Sequence, residues 1–348
     1  MMKLNKQHPL YQEDLQHILQ TNGIEQLHGK HLLITGATGL IGICLIDALM
    51  LYNRLHDANL HICALGRSKA KAAEVLGEYY GHPLFHFAEH DVNQPIPTEL
   101  RADYILPLAS NTHPLAYSTY PVETMLINLK GAEHALEAAR HQQAQVLYPS
   151  TVEVYGNARG EDVFTEDYTG ILNLSTARAC YTESKRASEA LCLSYAAERG
   201  VTVKIARLSR VFGPTMKESD SKASSQFIKK ALAGEDIVLK SKGEQYFSYT
   251  YVADAVSALL HIMLNGESGV AYNVSAASCN IHLKDFAALC ASYCKKEVVF
   301  DLPTATEQKG FSVATQAILD NSRLLGTGWH PYYQIEDAVR RTLEILGR

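Results

Sequence analysis

The chain has 348 residues, long enough for one large domain or two modest ones. Hydrophobic residues make up 47% and charged residues 20%, so a soluble globular protein of enzyme size is expected. The net charge of -5 argues against a nucleic-acid partner, whose phosphates need a basic face, but leaves room for a small anionic ligand in a local basic site.

Seven Cys are present, none in a CxxC pair. The count is odd and the N-terminal stretch is polar, without the apolar core of a secretory segment. Reduced thiols in a cytoplasm are therefore expected. Cys290 and Cys294, four apart, read as core or helix-face residues. The most apolar stretch, residues 32–51, is broken by Thr35, three Gly and Asp47, so no membrane span is expected.

Residues 1–29 read as an N-terminal extension with a short helix at 11–20. Residues 31–52 combine a buried strand, a Gly-rich turn and a helix. Further strands are expected at 58–68, 84–92, 102–110, 144–151 and 201–214. Helical periodicity falls between them at 68–80, 121–141 and 181–200, the last ending at Gly200. Strands alternating with helices predict an α/β fold, a Rossmann-type doubly wound parallel sheet with helices on both faces. An NAD(P)-binding domain over 30–213 would be followed, at 214–348, by a smaller C-terminal substrate-binding lobe partly interleaved with it. That lobe reads as helices at 224–236, 250–266, 281–296 and 333–348, with strands at 237–240 and 271–276.

The stretch TGATGLIG places Gly36, Gly39 and Gly42 directly after a buried strand and at the start of a helix. Gly36 permits the tight turn, Gly39 the approach of a pyrophosphate, and Gly42 close helix packing. The helix N-terminus, with Thr38, Leu40 and Ile41, supplies N–H donors and a favourable dipole. The cofactor is therefore NAD or NADP. At the end of the next strand an acid usually marks NAD, but this chain has Arg67 and Ser68. These would either contact a 2′-phosphate or form a solvated turn. Asp91 and Val92 are placed to touch an adenine, although Asp91 could equally cap the next turn.

Tyr181 and Lys185 lie at i and i+4 and share a helix face. A Tyr with an ordinary pKa near 10 is a poor base at neutral pH. A Lys ammonium beside it, together with the positive nicotinamide ring, would favour the phenolate and lower that pKa. Thr151, at the end of a strand, offers a hydroxyl to the same substrate oxygen. The trio can take a proton from a sugar hydroxyl while a nicotinamide accepts the hydride. His82, His86 and His90 recur every fourth residue, but on a turn and strand this spacing does not converge, and no metal site is expected.

With these motifs the chain resembles the extended short-chain dehydrogenase/reductases, the NAD-dependent nucleotide-sugar epimerase/dehydratase group. The resemblance spans residues 30–345. It rests on TGATGLIG; LAS at Leu108, Ala109 and Ser110; the helix bearing Asn128 and Gly131; STVEVYG; YTESK; ARLSRVFGP; and YVADAV. It implies Thr151, Tyr181 and Lys185 as catalytic. It also implies Leu108–Ser110 and Asn128 beside the cofactor, and Thr112 and Tyr251 beside the substrate. Within the group the chain is most similar to UDP-glucuronate decarboxylases, through EVYG, YTESKR, FGPTM and the pattern Pro114, Tyr117, Pro121, Thr124, Asn128 and Gly131. There Glu153 would be a working carboxylate; otherwise it bonds a nearby loop.

Three positions depart from the pattern. Val152 replaces the acid of 4,6-dehydratases and cannot donate a proton, which disfavours dehydration. Arg210 replaces an Asn that touches the substrate phosphate, and would either clamp a pyrophosphate or carboxylate or form a surface ion pair. Phe247 replaces an Arg and removes a pyrophosphate contact. The expected activity is oxidation of a nucleotide sugar at C4, followed by decarboxylation where C5 bears a carboxylate. Alternatives are a C4-epimerase, or an NADPH-dependent reductase of a CDP- or dTDP-linked sugar. A non-catalytic cofactor-binding protein is disfavoured because Tyr181 and Lys185 are both kept. The resemblance further implies a homodimer through helices starting at Pro121 and Tyr181.

Overall fold

The structure is a computed structural model describing residues 4–112, 114–157, 163–301 and 315–347. Its main sheet has seven parallel strands. Their spatial order is Ala271–Val274, Val203–Leu208, Gln145–Thr151, Tyr104–Pro107, His31–Thr35, His61–Gly66 and Phe85–Glu89. The strand His31–Thr35, third from one edge, is apolar on both faces, with Leu32, Leu33 and Ile34 fully buried, as a sheet covered on both sides requires. From His31–Thr35 the chain first builds outward to one edge, then returns to the other side with Tyr104–Pro107. Ligands bind outside the carboxyl ends of strands at such a reversal. Thr35 pairs with Pro107 there, and Thr151 ends the neighbouring strand.

The helices Pro121–Gln142 and Ala179–Arg199 pack along each other. Leu40–His56 packs with Val252–Asn265, whose residues 252–263 are all buried. A second sheet centres on Tyr246–Tyr251. It pairs in parallel with Arg210–Phe212 and Gln316–Leu319 and antiparallel with Asn280–His282.

The structure corrects the sequence reading at four places. Residues 201–214 are two strands, because Ser209 bonds Thr250 of the second sheet at 2.6 Å while its N–H still donates to Val274 of the first. The helix expected from 250 starts at Val252, since Tyr246–Tyr251 is a strand buried on both faces and shows no polar alternation. Ala271–Val274, expected in the smaller lobe, completes the main sheet beside Val203–Leu208. The N-terminal segment is not peripheral. Helix Pro9–Ile18 buries Tyr11, Leu15 and Ile18 at i, i+4 and i+7, and its Asp14 accepts bonds from Tyr251, Tyr333 and Arg341.

Candidate functional site

The Gly-rich turn has the geometry of a phosphate cradle. Gly36 has φ of +65°, and a Cβ there would stand 2.6 Å from the Ala109 nitrogen. At Gly42 a Cβ would stand 2.7 Å from the Gly36 carbonyl oxygen. Only glycine fits either place. Gly39 caps the helix Leu40–His56 with extended backbone, and its N–H donates to the Gly36 carbonyl at 2.9 Å. Thr38, Leu40 and Ile41 line this start and are partly exposed. Thr215 donates its hydroxyl to the Leu40 carbonyl at 2.7 Å and ties its own segment to the turn. Donors, dipole and space fit the pyrophosphate of a dinucleotide.

Around the cradle, the Ala109 N–H donates to Thr35 at 3.1 Å, so the segment Leu108–Ser110 closes against the turn. Ser110 donates to Asn128 at 2.7 Å, and Asn128 donates to Ser184 at 2.9 Å. Ser188 donates back to the Asn128 carbonyl. Asn128 thereby ties the cofactor-side loop to the helix Ala179–Arg199. Ser184 lies inside the quoted YTESK and Ser188 one turn beyond it, but their partner Asn128 comes from 56 and 60 residues away, which the sequence does not announce. Arg67 is exposed and pairs with Glu123 at 3.0 Å, while Ser68 caps the helix Lys69–Leu76. Asp91 accepts the Asn93 N–H at 2.9 Å, the turn-capping alternative, and the Val92 carbonyl meets His134.

Helix Ala179–Arg199 ends at Gly200, whose φ of 67° stops it in the left-handed conformation. It carries Tyr181 and Lys185, both buried. Burial raises the Tyr181 pKa well above its ordinary value; the Glu153 charge raises it further, and a hydrogen bond with Thr151 opposes both. Lys185 donates to the Pro149 carbonyl at 2.8 Å and lies 4.8 Å from the centre of the Tyr148 ring. Burial lowers its pKa to about 8. Burial of the phenol is the largest influence on Tyr181.

Thr151 ends its strand and accepts the Glu153 N–H at 3.3 Å, opening the short turn Val152–Tyr155. That turn buries Val152 and leaves Glu153 half-buried. Thr182 donates to Glu153 at 3.4 Å, and Arg178 reaches it at 4.0 Å. Tyr117 stacks on Tyr181 with ring centres 5.2 Å apart, and Arg178 lies 5.6 Å from the centre of the Tyr117 ring. Arg210 is no surface ion-pair residue. Its guanidinium lies 3.5 Å from the centre of the Phe247 ring, and burial lowers its pKa.

Thr151, Glu153, Tyr181 and Lys185 therefore converge at the carboxyl edge, beside the cradle. Thr112 is exposed. Tyr251 does not join them. It is fully buried, and its hydroxyl donates to Asp14 at 2.5 Å, because the helix Pro9–Ile18 covers it. Arg178, Tyr117 and Thr182 belong to the site and were not picked out. The Tyr117 position in the quoted pattern was the one available signal.

A sequence model of the NAD dependent epimerase/dehydratase family matches residues 32–275. The chain is 34% identical over 238 residues to UDP-glucuronic acid decarboxylase 6 of Arabidopsis thaliana, covering 68% of this chain and 67% of the relative. It is 31% identical over 321 residues to UDP-glucuronic acid decarboxylase 1 of Danio rerio, covering 92% and 73%. Among solved structures, UDP-glucuronic acid 4-epimerase from Bacillus cereus, in complex with UDP-glucuronic acid and NAD, superposes with a TM-score of 0.77 at 19% identity, covering 91% and 98% of the two chains. A dTDP-glucose 4,6-dehydratase from Bacillus anthracis in complex with NAD gives 0.76 at 17%, covering 91% and 96%. At these identities the likeness is one of fold.

Proposed function

The chain belongs to the NAD-dependent epimerase/dehydratase family, and from that premise we propose that it decarboxylates UDP-glucuronate with bound NAD. The observation that carries the reading is the convergence of Thr151, Glu153, Tyr181 and Lys185 beside the cradle, with apolar Val152 where dehydration would need an acid. Relatives named for this activity support the substrate. NAD rather than NADP is supported by Arg67, whose guanidinium is engaged by Glu123, and by Ser68, whose hydroxyl caps a helix.

NAD, when bound, supplies the hydride acceptor for sugar C4. Tyr181 takes the proton of the C4 hydroxyl, and Thr151 holds the same oxygen by a hydrogen bond. Lys185 keeps a positive charge behind the phenolate. A ketone at C4 is β to the C5 carboxylate. When the C5–C6 bond breaks and CO2 leaves, its electron pair is held by that carbonyl. Tyr181 then returns its proton to the C4 oxygen as the ketone is reduced, which leaves the cofactor unchanged overall. Before that reduction the enolate takes a proton at C5, a step we assign to Glu153 relaying a proton from solvent, its carboxylate being held by Thr182 and Arg178.

Mass spectrometry after incubation with UDP-glucuronate and NAD+ or NADP+ tests this. A product lighter by one CO2 with NAD+ is expected, and its loss in Tyr181→Phe with cofactor binding retained. An unchanged substrate mass, or an active Tyr181→Phe, overturns the reading.

We further propose a homodimer, on an exposed apolar surface. Helix Pro121–Gln142 exposes Val122, Met125 and Leu126 in one stripe, and Leu193 is exposed on its neighbour. Sedimentation as a monomer would refute it.

A further inference from the structure

We propose that Arg210, held flat against Phe247, is the residue that selects a sugar bearing a carboxylate over one bearing a neutral hydroxymethyl group. This rests on the nucleotide-sugar reading above and assigns a specificity role inside that site.

Three observations carry it. First, Arg210 Nη1 is enclosed and has no hydrogen-bond partner among the described residues. A buried cationic donor without a partner is costly, so the position is poised to receive an anion. Second, no carboxylate among the described residues stands within ion-pair distance of Arg210. The groups acting on Arg210 are Tyr249, Glu153, Tyr117 and Arg178. Glu153 is the one carboxylate among them, and Arg178 already approaches it at 4.0 Å. Third, the guanidinium is aimed. Arg210 is level with Tyr249 on the paired strand Tyr246–Tyr251, and the ring of Phe247, two residues earlier, lies against its face. A flat apolar backing leaves the edge donors of the fork free and matches the planar, bidentate geometry of a carboxylate.

The location favours the sugar over the diphosphate. Tyr117 and Glu153, which act on Arg210, are the groups that stack on Tyr181 or raise its pKa. Leu208 is level with Thr151 across the paired strands, so Arg210, two residues further on, stands at the reacting end of the site. The Gly-rich cradle stands at the start of the helix Leu40–His56.

Titration calorimetry on the NAD-loaded protein separates the cases. UDP-glucuronate, UDP-glucose and UDP share the nucleoside diphosphate, and only the first has the carboxylate. The wild type should bind UDP-glucuronate more tightly than UDP-glucose. Arg210→Met keeps the stem on Phe247 and should weaken UDP-glucuronate roughly 10- to 100-fold, the worth of a charged hydrogen bond, while changing the other two less than about 3-fold. Arg210→Lys should recover part of the loss, and Phe247→Leu should weaken UDP-glucuronate alone. Equal weakening of all three ligands by Arg210→Met would put Arg210 on the diphosphate and overturn the inference. So would a wild type without preference for the carboxylate. A wild type that selects UDP-glucuronate but releases no CO2 would sink the decarboxylase reading and leave this one standing. Release of CO2 by an Arg210→Met variant with undiminished affinity would do the reverse.

Discussion

Lys185 and Tyr181 share one helix face, yet the Lys185 ammonium is spent on the Pro149 carbonyl, at 2.8 Å, and not on the phenol. Its pKa stands at about 8 because it is buried, against an ordinary value of 10.5. Between those two pH values the unfolded chain holds a proton that the native protein lacks, so stability rises with pH across that window. Below about 8 the cost of the buried charge is fully present. Lys185→Met removes this titration. The melting temperature of the wild type should therefore gain on that of the variant from pH 8 to 10.5 and stay parallel below 8. Thermal melts across that range check this. Turnover by the variant should fall roughly 10²- to 10⁴-fold at neutral pH.

Glu153→Gln tests the other influence on Tyr181. Burial is the main reason for the raised Tyr181 pKa, and the Glu153 charge is the second. Removing that charge lowers the Tyr181 pKa. The limb of kcat/KM that rises as Tyr181 deprotonates should therefore move to lower pH. If Glu153 also handles the proton at C5, kcat falls roughly 10²-fold or more. A pH profile of the residual activity decides, and an unmoved limb would deny the electrostatic link.

What was legible in the sequence was local. Gly36, Gly39 and Gly42 announce themselves because a strand, a turn and a helix follow one another within a dozen residues. Tyr181 and Lys185 do so because one helical turn fixes their relation. The unforeseen part is carried by long separations. Tyr117 reaches Tyr181 from 64 positions away, and Arg210 meets Phe247 only because two strands pair. Tyr251, read as a substrate contact beside a recognised dipeptide, turns instead to Asp14. Nothing near Tyr251 in the sequence announces that helix Pro9–Ile18 is folded over it. The strand Tyr246–Tyr251 hid for a related reason: buried on both faces, it lacks the polar alternation that marks a strand.

Gly36→Ala should weaken cofactor binding without touching any catalytic group. The φ of +65° costs an alanine about 1–2 kcal/mol. The added Cβ also meets backbone, the Ala109 nitrogen at 2.6 Å, which cannot move without opening the bond to Thr35. NAD+ affinity should fall by more than about 10-fold, the factor that 1.4 kcal/mol represents. Fluorescence titration measures it, with circular dichroism to show that the variant is folded. Unchanged affinity would mean that the turn does not hold the pyrophosphate.

The N-terminal helix makes a prediction about acid stability. Asp14 and Asp254 belong to one buried network: Asp14 takes bonds from Tyr251, Tyr333 and Arg341, and Asp254 takes the N–H groups of Tyr332 and Tyr333. Burial raises their pKa values to about 6 and about 7, from an ordinary 3.8. Over that interval the native protein binds protons that the unfolded chain has released. Stability contributed by the protonated form is complete below about 4 and is lost as pH rises through 6 for Asp14 and 7 for Asp254. Asp254→Asn cannot titrate and still offers an acceptor to one N–H group. The wild type should therefore lose stability against this variant as pH rises from 4 to 7, with a flat difference above that. Denaturant melts at several pH values in this range measure the difference. A wild type that gained stability against the variant as pH rose would mean that the carboxylate, and not the carboxylic acid, is the form the fold prefers. Asp14→Ala leaves the buried Tyr251 and Tyr333 hydroxyls without their acceptor, while Arg341 keeps Asp337 and Glu13, and should cost about 1–3 kcal/mol for each hydroxyl at neutral pH.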